Sequence, residues 1–320
     1  MRIPFRIPAA GSKPFDVVGF GKNSIDIVAV VAEHPAPNSK QRLQRFARLP
    51  GGEMATAMAA CARLGWRARY IGSFGDDDLG ALARSSLDEV GVDTTQARTV
   101  AGAANQFAVI LVDARSGDRT VLWDRHPALT MQPSDVRKEA VTSGRMLIVD
   151  CHDTAAAAQA ATFAREAQIP TVIDVEIVRP GIADLLQHID AIIAAESFPS
   201  ALTGHEDLGR ALQAMGREFG AAVVTATLGM KGSVTWCGGR EIRTPALPVD
   251  CVDSTGAGDV FRGGFAAGCL RLSEGDGDIE EVLAYATAAA ALNCRALGAR
   301  GALPTADEVG RVLLSMPNRV

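Results

Sequence analysis

The sequence predicts an α/β fold in which a mostly parallel sheet is covered by helices on both faces. Two observations carry this. Short runs rich in β-branched residues alternate with Ala-rich helical patterns along most of the chain, as strand–helix–strand units require. Apolar residues make up 48% of the 320 positions while aromatics supply only 5%, so a large core has to be filled by small side chains that let helices lie close on a sheet.

Composition excludes several classes. A net charge of -5 is wrong for a protein that binds nucleic acid by neutralising phosphates. The six cysteines (61, 151, 237, 251, 269, 294) contain no Cys-x-x-Cys pair, which suits neither a zinc site nor a disulfide framework, so reduced cytoplasmic thiols are expected. No apolar run is long enough to span a bilayer. Residues 1–14 hold Arg2, Arg6 and Lys13 among three prolines and lack the apolar core of a signal peptide, and they read as a flexible tail.

In order, Asp16–Gly21 reads as the first strand, followed by Lys22–Val28. Gly21-Lys22 is not a Walker loop: that motif needs a glycine where Asp16 stands and a hydroxyl residue after the lysine. Residues 33–50 are Pro-rich, basic and polar. Gly51-Gly52 then lets backbone approach a ligand at the start of an Ala-rich helix over 53–64. Asp76, Asp77 and Asp78 complement the dipole of the next helix, which runs to Val90 and stops at Gly91. The alternating runs Gln106–Val112 and Arg119–Trp123, joined through Ser116-Gly117-Asp118, form a β-hairpin. Further strands fall at Met146–Val149, Thr171–Ile173, Ala191–Ile193 and Ala222–Thr225, with helices over 154–167, 207–219 and 279–297. Ligands in open α/β sheets gather beyond the carboxyl ends of strands, where Asp150, His152, Asp174, Glu196 and Thr227 fall.

The chemistry concentrates in Asp253-Ser254-Thr255-Gly256-Ala257-Gly258-Asp259-Val260-Phe261. Val260, Phe261, Gly264, Phe265, Gly268, Cys269 and Leu272 recur at the spacing of one buried helix face, and Ser254 or Thr255 can cap that helix. The amides of Gly256, Ala257 and Gly258 then point from a helix start, a place that binds phosphate. Asp259 either serves the helix dipole or takes a proton from a nucleophile attacking that phosphate; spacing alone leaves both open.

This stretch resembles the signature of the PfkB (ribokinase-like) carbohydrate kinases, D-T-x-G-A-G-D-x-F, with Ser254 at the commoner Thr, and the resemblance extends over nearly the whole chain. It implies a ribokinase-like three-layer αβα sandwich over 15–320 with a mostly parallel central sheet. Segments about 26–50 and 105–125 would form a small β-sheet lid, through which a homodimer would assemble. The implied activity is ATP-dependent phosphorylation of a hydroxyl on a sugar or polyol, with Mg2+, Asp259 as general base and the amides of Gly256, Ala257 and Gly258 as anion hole.

Residue by residue, the resemblance puts Asp26 and Asn23, Gly51, Gly52 and Gln106 at the sugar, and Lys40 where one branch of the family contacts an anionic sugar. Arg119, Arg125 and His152 are further candidates for such a group. Thr227, Gly229 and Gly232 match a T-L-G-x-x-G element beside the nucleotide. Glu196 is what remains of an Asn-x-x-Glu segment tied to magnesium, and Asn293 leads into the tail that helps bind adenine. Asp253 and Thr255 match positions of a monovalent-cation loop, potassium in ribokinase, although Ala302 replaces a serine there. Glu53 and Thr56 depart from the pattern, where Asn or Lys and Asn are usual, and this leaves the sugar open. The rival readings are a nucleoside kinase, disfavoured by the scarcity of aromatics, and a non-catalytic sugar or nucleotide sensor, disfavoured by an intact Asp259 beside an intact anion loop.

Overall fold

The computed structural model describes residues 1–116, 119–273, 275 and 277–315. Its strands are β1 (Val17–Phe20), β2 (Ser24–Val31), β3 (Arg45–Gly51), β4 (Ala68–Ile71), β5 (Ser73–Gly75), β6 (Arg98–Val100), β7 (Phe107–Asp113), β8 (Arg119–Asp124), β9 (Met146–Asp150), β10 (Thr171–Val175), β11 (Ala191–Ala195), β12 (Val223–Thr227), β13 (Ser233–Cys237) and β14 (Arg240–Thr244). Its helices are α1 (Glu53–Arg63), α2 (Asp78–Asp88), α3 (Lys138–Val141), α4 (Thr154–Glu166), α5 (Ile182–Leu186), α6 (Phe198–Thr203), α7 (Leu208–Phe219), α8 (Ala257–Leu272), α9 (Ile279–Asn293) and α10 (Ala306–Ser315).

The main sheet runs β14-β13-β12-β11-β10-β9-β1-β4 and is parallel except at β12–β13 and β13–β14. Its strands are apolar on both faces, as a sheet covered twice must be. Val18, Leu147, Val149 and Ile173 pack toward α4, α5 and α7, whereas Val17, Met146, Ile148 and Val172 pack toward α1, α8 and α9. The three-layer sandwich implied by the sequence is the one observed.

A second sheet, β3-β2-β7-β8, forms the lid expected from segments 26–50 and 105–125. The turn of its β7–β8 hairpin includes Gly117 and Asp118, which lie outside the described residues. Register Asp26↔Leu49 and Asp26↔Ala108 sets Asp26 on the central strand β2, between both neighbours.

Four expectations are corrected. Residues 1–14 do not fray. The Met1 amine pairs with Asp278, the Ile3 amide donates to the Gly277 carbonyl at 3.1 Å, and Ile3, Phe5 and Ile7 pack on the core. Helix α8 has no hydroxyl cap. Its N-cap is Gly256 at φ 74, a left-handed position that glycine takes without strain. Rather than showing one apolar face, α8 is buried from Asp259 to Leu270, because α1 and α9 enclose it. Its glycines permit this: a Cβ on Gly263 would meet the Ala57 carbonyl oxygen at 2.7 Å. Helix α9 ends at Asn293 instead of Leu297, since the Asn293 side chain turns to bind the following loop.

Candidate active site

The carboxyl ends of β1, β9 and β10, the inner face of the lid and the start of α8 enclose a cavity of about 630 Å3. Asp26, Glu53, Gln106, Trp123, His152 and Asp259 are among the side chains on its wall. Trp123 is the one aromatic there.

At the floor, the loop from Asp253 to Gly258 is shaped by its own backbone. Asp253 accepts from the Thr255 amide at 2.9 Å and from the Gly298 amide at 2.8 Å, which ties the loop to the chain beyond α9. At Gly256 a Cβ would lie 2.5 Å from the Ala299 carbonyl oxygen, so close packing as well as φ demands glycine. The Ala257 amide turns back to the Ser254 carbonyl at 3.2 Å. Those of Gly256 and Gly258, at a helix start where first-turn amides lack helical partners, have no acceptor among the described residues.

Asp259 follows at once, and the sequence reading missed its partner. Arg262, one turn along α8 and buried, approaches Asp259 at 3.7 Å and contacts Asp174 at the end of β10. Burial pushes the Asp259 carboxyl well above the ordinary carboxylate range; Arg262 pulls the other way, and Glu53 and Glu176 add to the rise. Asp174 is raised by burial too, again against Arg262. An arginine in the middle of the run of small and apolar residues that fills α8 was the available signal.

Glu53, the departure from the family pattern, is accommodated by its neighbours. Lys22 Nζ lies 2.9 Å and His152 Nε2 3.2 Å from its carboxylate. Burial is the largest single influence and pushes Glu53 up, but Lys22 and His152 together outweigh it and hold the carboxyl well below its usual range. Asp150 braces the group by accepting from the amides of Lys22 at 2.7 Å and His152 at 3.0 Å. Arg179 reaches the other ring nitrogen of His152 at 3.3 Å.

Of the residues expected at the sugar, Asp26, Gly52 and Gln106 line the cavity. Burial raises Asp26, opposed by its contact with Ser24 and by Arg300. Gly51 sits behind Asp26, its carbonyl held by Arg300 Nη2 at 2.7 Å. Burial pushes Arg300 down to about 10; it also binds Thr56 and Ser86, pinning the Gly51-Gly52 turn to α1 and α2. Two expectations fail on geometry. Asn23 points away from the cavity, donating to Tyr70 at 3.1 Å and the Ser73 carbonyl at 2.7 Å, and Lys40 is exposed and outside the cavity wall.

The nucleotide-side candidates do not line this cavity. Thr227 donates to the Ala194 carbonyl at 3.3 Å, and Gly229 and Gly232 flank a short turn, both at positive φ. Glu196 is exposed and pairs with Lys231 at 3.4 Å. Asn293 is buried and braces the tail loop, donating to the Ala299 carbonyl at 2.9 Å and accepting from the Ala302 amide at 3.4 Å, so it holds the loop rather than facing a ligand. Asp253 and Thr255 do not fit a potassium ion. Both Asp253 oxygens are taken by amides, and lid residue Arg119 donates to Thr255 at 2.9 Å and stands 4.0 Å from Asp253.

No cluster of three or more metal-ligating side chains occurs among the described residues. A magnesium ion bound through phosphates needs only one or two carboxylates, and Glu176, on the cavity wall near enough to Asp259 to raise it, fits that demand.

The family model for pfkB family carbohydrate kinases matches residues 15–306. An ATP-dependent ribose-1-phosphate kinase of Halopiger xanaduensis is 30% identical over 304 residues, spanning 93% of this chain and 97% of that protein. A ribokinase of Bacillus subtilis is 27% identical over 294 residues, spanning 92% and 97%. The structure of Arabidopsis thaliana ribokinase complexed with ribose and ATP superposes with a TM-score of 0.80 at 26% identity, covering 93% of this chain and 98% of that one.

Proposed function

The chain belongs to the pfkB family of carbohydrate kinases and is an ATP-dependent carbohydrate kinase, and on that premise we propose that it phosphorylates a sugar hydroxyl in the cavity beneath the lid, with Asp259 as general base. The observation that carries this reading is a buried carboxylate placed directly after two amides without acceptors, all three on one cavity wall or at its edge. The substrate hydroxyl oxygen bonds to the γ-phosphorus of ATP as the bond to the β,γ-bridging oxygen breaks, and Asp259 takes the hydroxyl proton. The Gly256 and Gly258 amides receive the charge spread over the transferred group. Asp26 and Gln106 orient the sugar hydroxyls, and the lid excludes water that would compete for the phosphoryl group. Magnesium bound with ATP supplies charge neutralisation at the phosphates; Glu176 is the wall carboxylate that would share it.

A coupled ADP-release assay over ketoses, aldoses, sugar phosphates, sugar acids and nucleosides tests the reading. ADP release with at least one sugar supports it, and turnover of nucleosides alone supports the nucleoside-kinase rival. With only Trp123 available to stack a base, the rival is the weaker reading.

A specific observation favours an anionic sugar. Arg179 lines the cavity, has no carboxylate within ion-pair distance among the described residues, and its buried Nε has no hydrogen-bond partner. A phosphate or carboxylate on the substrate would complete it. Assembly through the lid is supported by the exposed Leu43, Phe46 and Leu122 on its strands and loop, and sedimentation showing a monomer would rule it out.

A further inference from the structure

Among the six cysteines, Cys251 and Cys294 stand apart. Cys61, Cys151, Cys237 and Cys269 are buried, whereas Cys251 is exposed in the segment that leads from β14 into the anion loop. Cys294 is buried at the end of α9. The amides of Val252 and Asp253 both donate to the Cys294 carbonyl, at 2.8 and 3.2 Å, so the backbone just after Cys251 is laced to Cys294. The Cys294 thiol donates to the Ala290 carbonyl at 3.3 Å, and Cys251 lies near enough to raise it further. The same segment continues through Asp253, which positions the Thr255 amide, to Gly256.

We propose that Cys251 and Cys294 are an oxidisable dithiol, and that their disulfide, formed with a low-molecular-weight disulfide as oxidant, restrains the anion loop and lowers kinase activity. The Cys251 thiolate attacks one sulfur of the oxidant RS–SR, forming a mixed disulfide and releasing one RS⁻. The Cys294 thiolate then attacks the Cys251 sulfur and releases the second RS⁻. The protein loses two electrons and two protons, and the oxidant becomes two RSH. Exposure makes Cys251 the point of entry. Burial, with the neighbouring Cys251, holds the Cys294 thiol up to about 11, so the resolving step is the slower one and a mixed disulfide precedes the cross-link. Laced backbones let the bond close without rearranging the fold. What it removes is the freedom of residues 251–255 to adjust as a nucleotide phosphate enters. The loss of activity rests on the anion loop acting as proposed above; the cross-link does not.

The test uses the full chain incubated with oxidised glutathione and digested with trypsin. Peptides 244–262 and 272–295 carry one cysteine each, Cys251 and Cys294. The expected result is a joined pair of these peptides, two hydrogens lighter than their sum, with activity at least threefold lower and restored by dithiothreitol. Cys251→Ser keeps basal activity, forms no such pair and is not inhibited. A stable glutathione adduct on Cys251 with no joined peptides would overturn the dithiol. Joined peptides with unchanged activity would overturn the restraint. An enzyme inactive on every sugar leaves the peptide measurement decisive for the dithiol and counts only against the kinase reading.

Discussion

The Asp259 carboxylate stands 3.7 Å from the guanidinium of Arg262, which also contacts Asp174 across the end of β10. Two buried acids thus share one buried cation. Burial disfavours the charged form of both, and Arg262 is the largest influence in the opposite direction. A general base has to be ionised to work, so on the role proposed for Asp259, Arg262 would be the positioning residue that keeps its carboxylate within reach of ionisation.

The pH profile of kcat/KM should show this. Activity falls as pH drops through the Asp259 pKa, and that acid limb should lie above the ordinary carboxylate range because burial raises the group. Arg262→Met removes the opposing charge and should move the limb to higher pH while leaving the rate on the alkaline side less affected. A limb at the same pH in both proteins would dissociate Arg262 from the base.

Stability should move against activity. The folded-state pKa of Asp259 is raised, so its favourable contribution is present below the unfolded-state value of 3.8 and is lost as pH rises through the folded value. The cost relative to the unfolded chain therefore grows from pH 4.5 to pH 8, and at pH 8 Asp259→Asn should raise Tm, at roughly 1–2 °C per kcal/mol for a chain of 320 residues. The gain should shrink at pH 4.5. A Tm that falls at pH 8 would contradict it.

Glu53 carries the opposite sign. Its carboxyl is depressed, so its contribution is present above 4.5 and is lost as pH falls. Glu53→Ala leaves the largely buried Lys22 without its partner and should cost about 3–5 kcal/mol, read by urea unfolding. Adding Lys22→Met should recover more than half of that loss. If the double variant is no better than the single one, the pair is not what holds this corner of the cavity.

For substrate choice, Arg179→Met should raise KM for the best anionic sugar by at least about tenfold, the usual scale of a lost charge-assisted contact, with neutral sugars changed less than twofold. Equal effects on both would make Arg179 structural.

Much of this arrangement was legible in the sequence. Strands buried on both faces announce themselves as apolar runs, and Gly256-Ala257-Gly258 marks a place where the backbone can take a left-handed turn that other residues resist. What escaped depends on side chains meeting from distant segments. Arg262 acquires its role only because β10 delivers Asp174. Asn23 sits in the expected segment, yet Tyr70 and Ser73 turn its amide away from the cavity. The β13–β14 hairpin is the exception, a local feature whose signal, Gly238-Gly239 between its two runs, lies in the sequence itself. Glu53 read as an anomaly because Lys22 and His152, which accommodate it, come from different parts of the chain.

The kinetics of Asp259→Ala on the best sugar, with nucleotide affinity followed by calorimetry, test the central claim most directly. General-base assistance is worth about 10² to 10⁴ in rate, so kcat should drop at least about 10²-fold while ATP still binds. A kcat within about threefold of the parent enzyme would remove Asp259 from the chemistry.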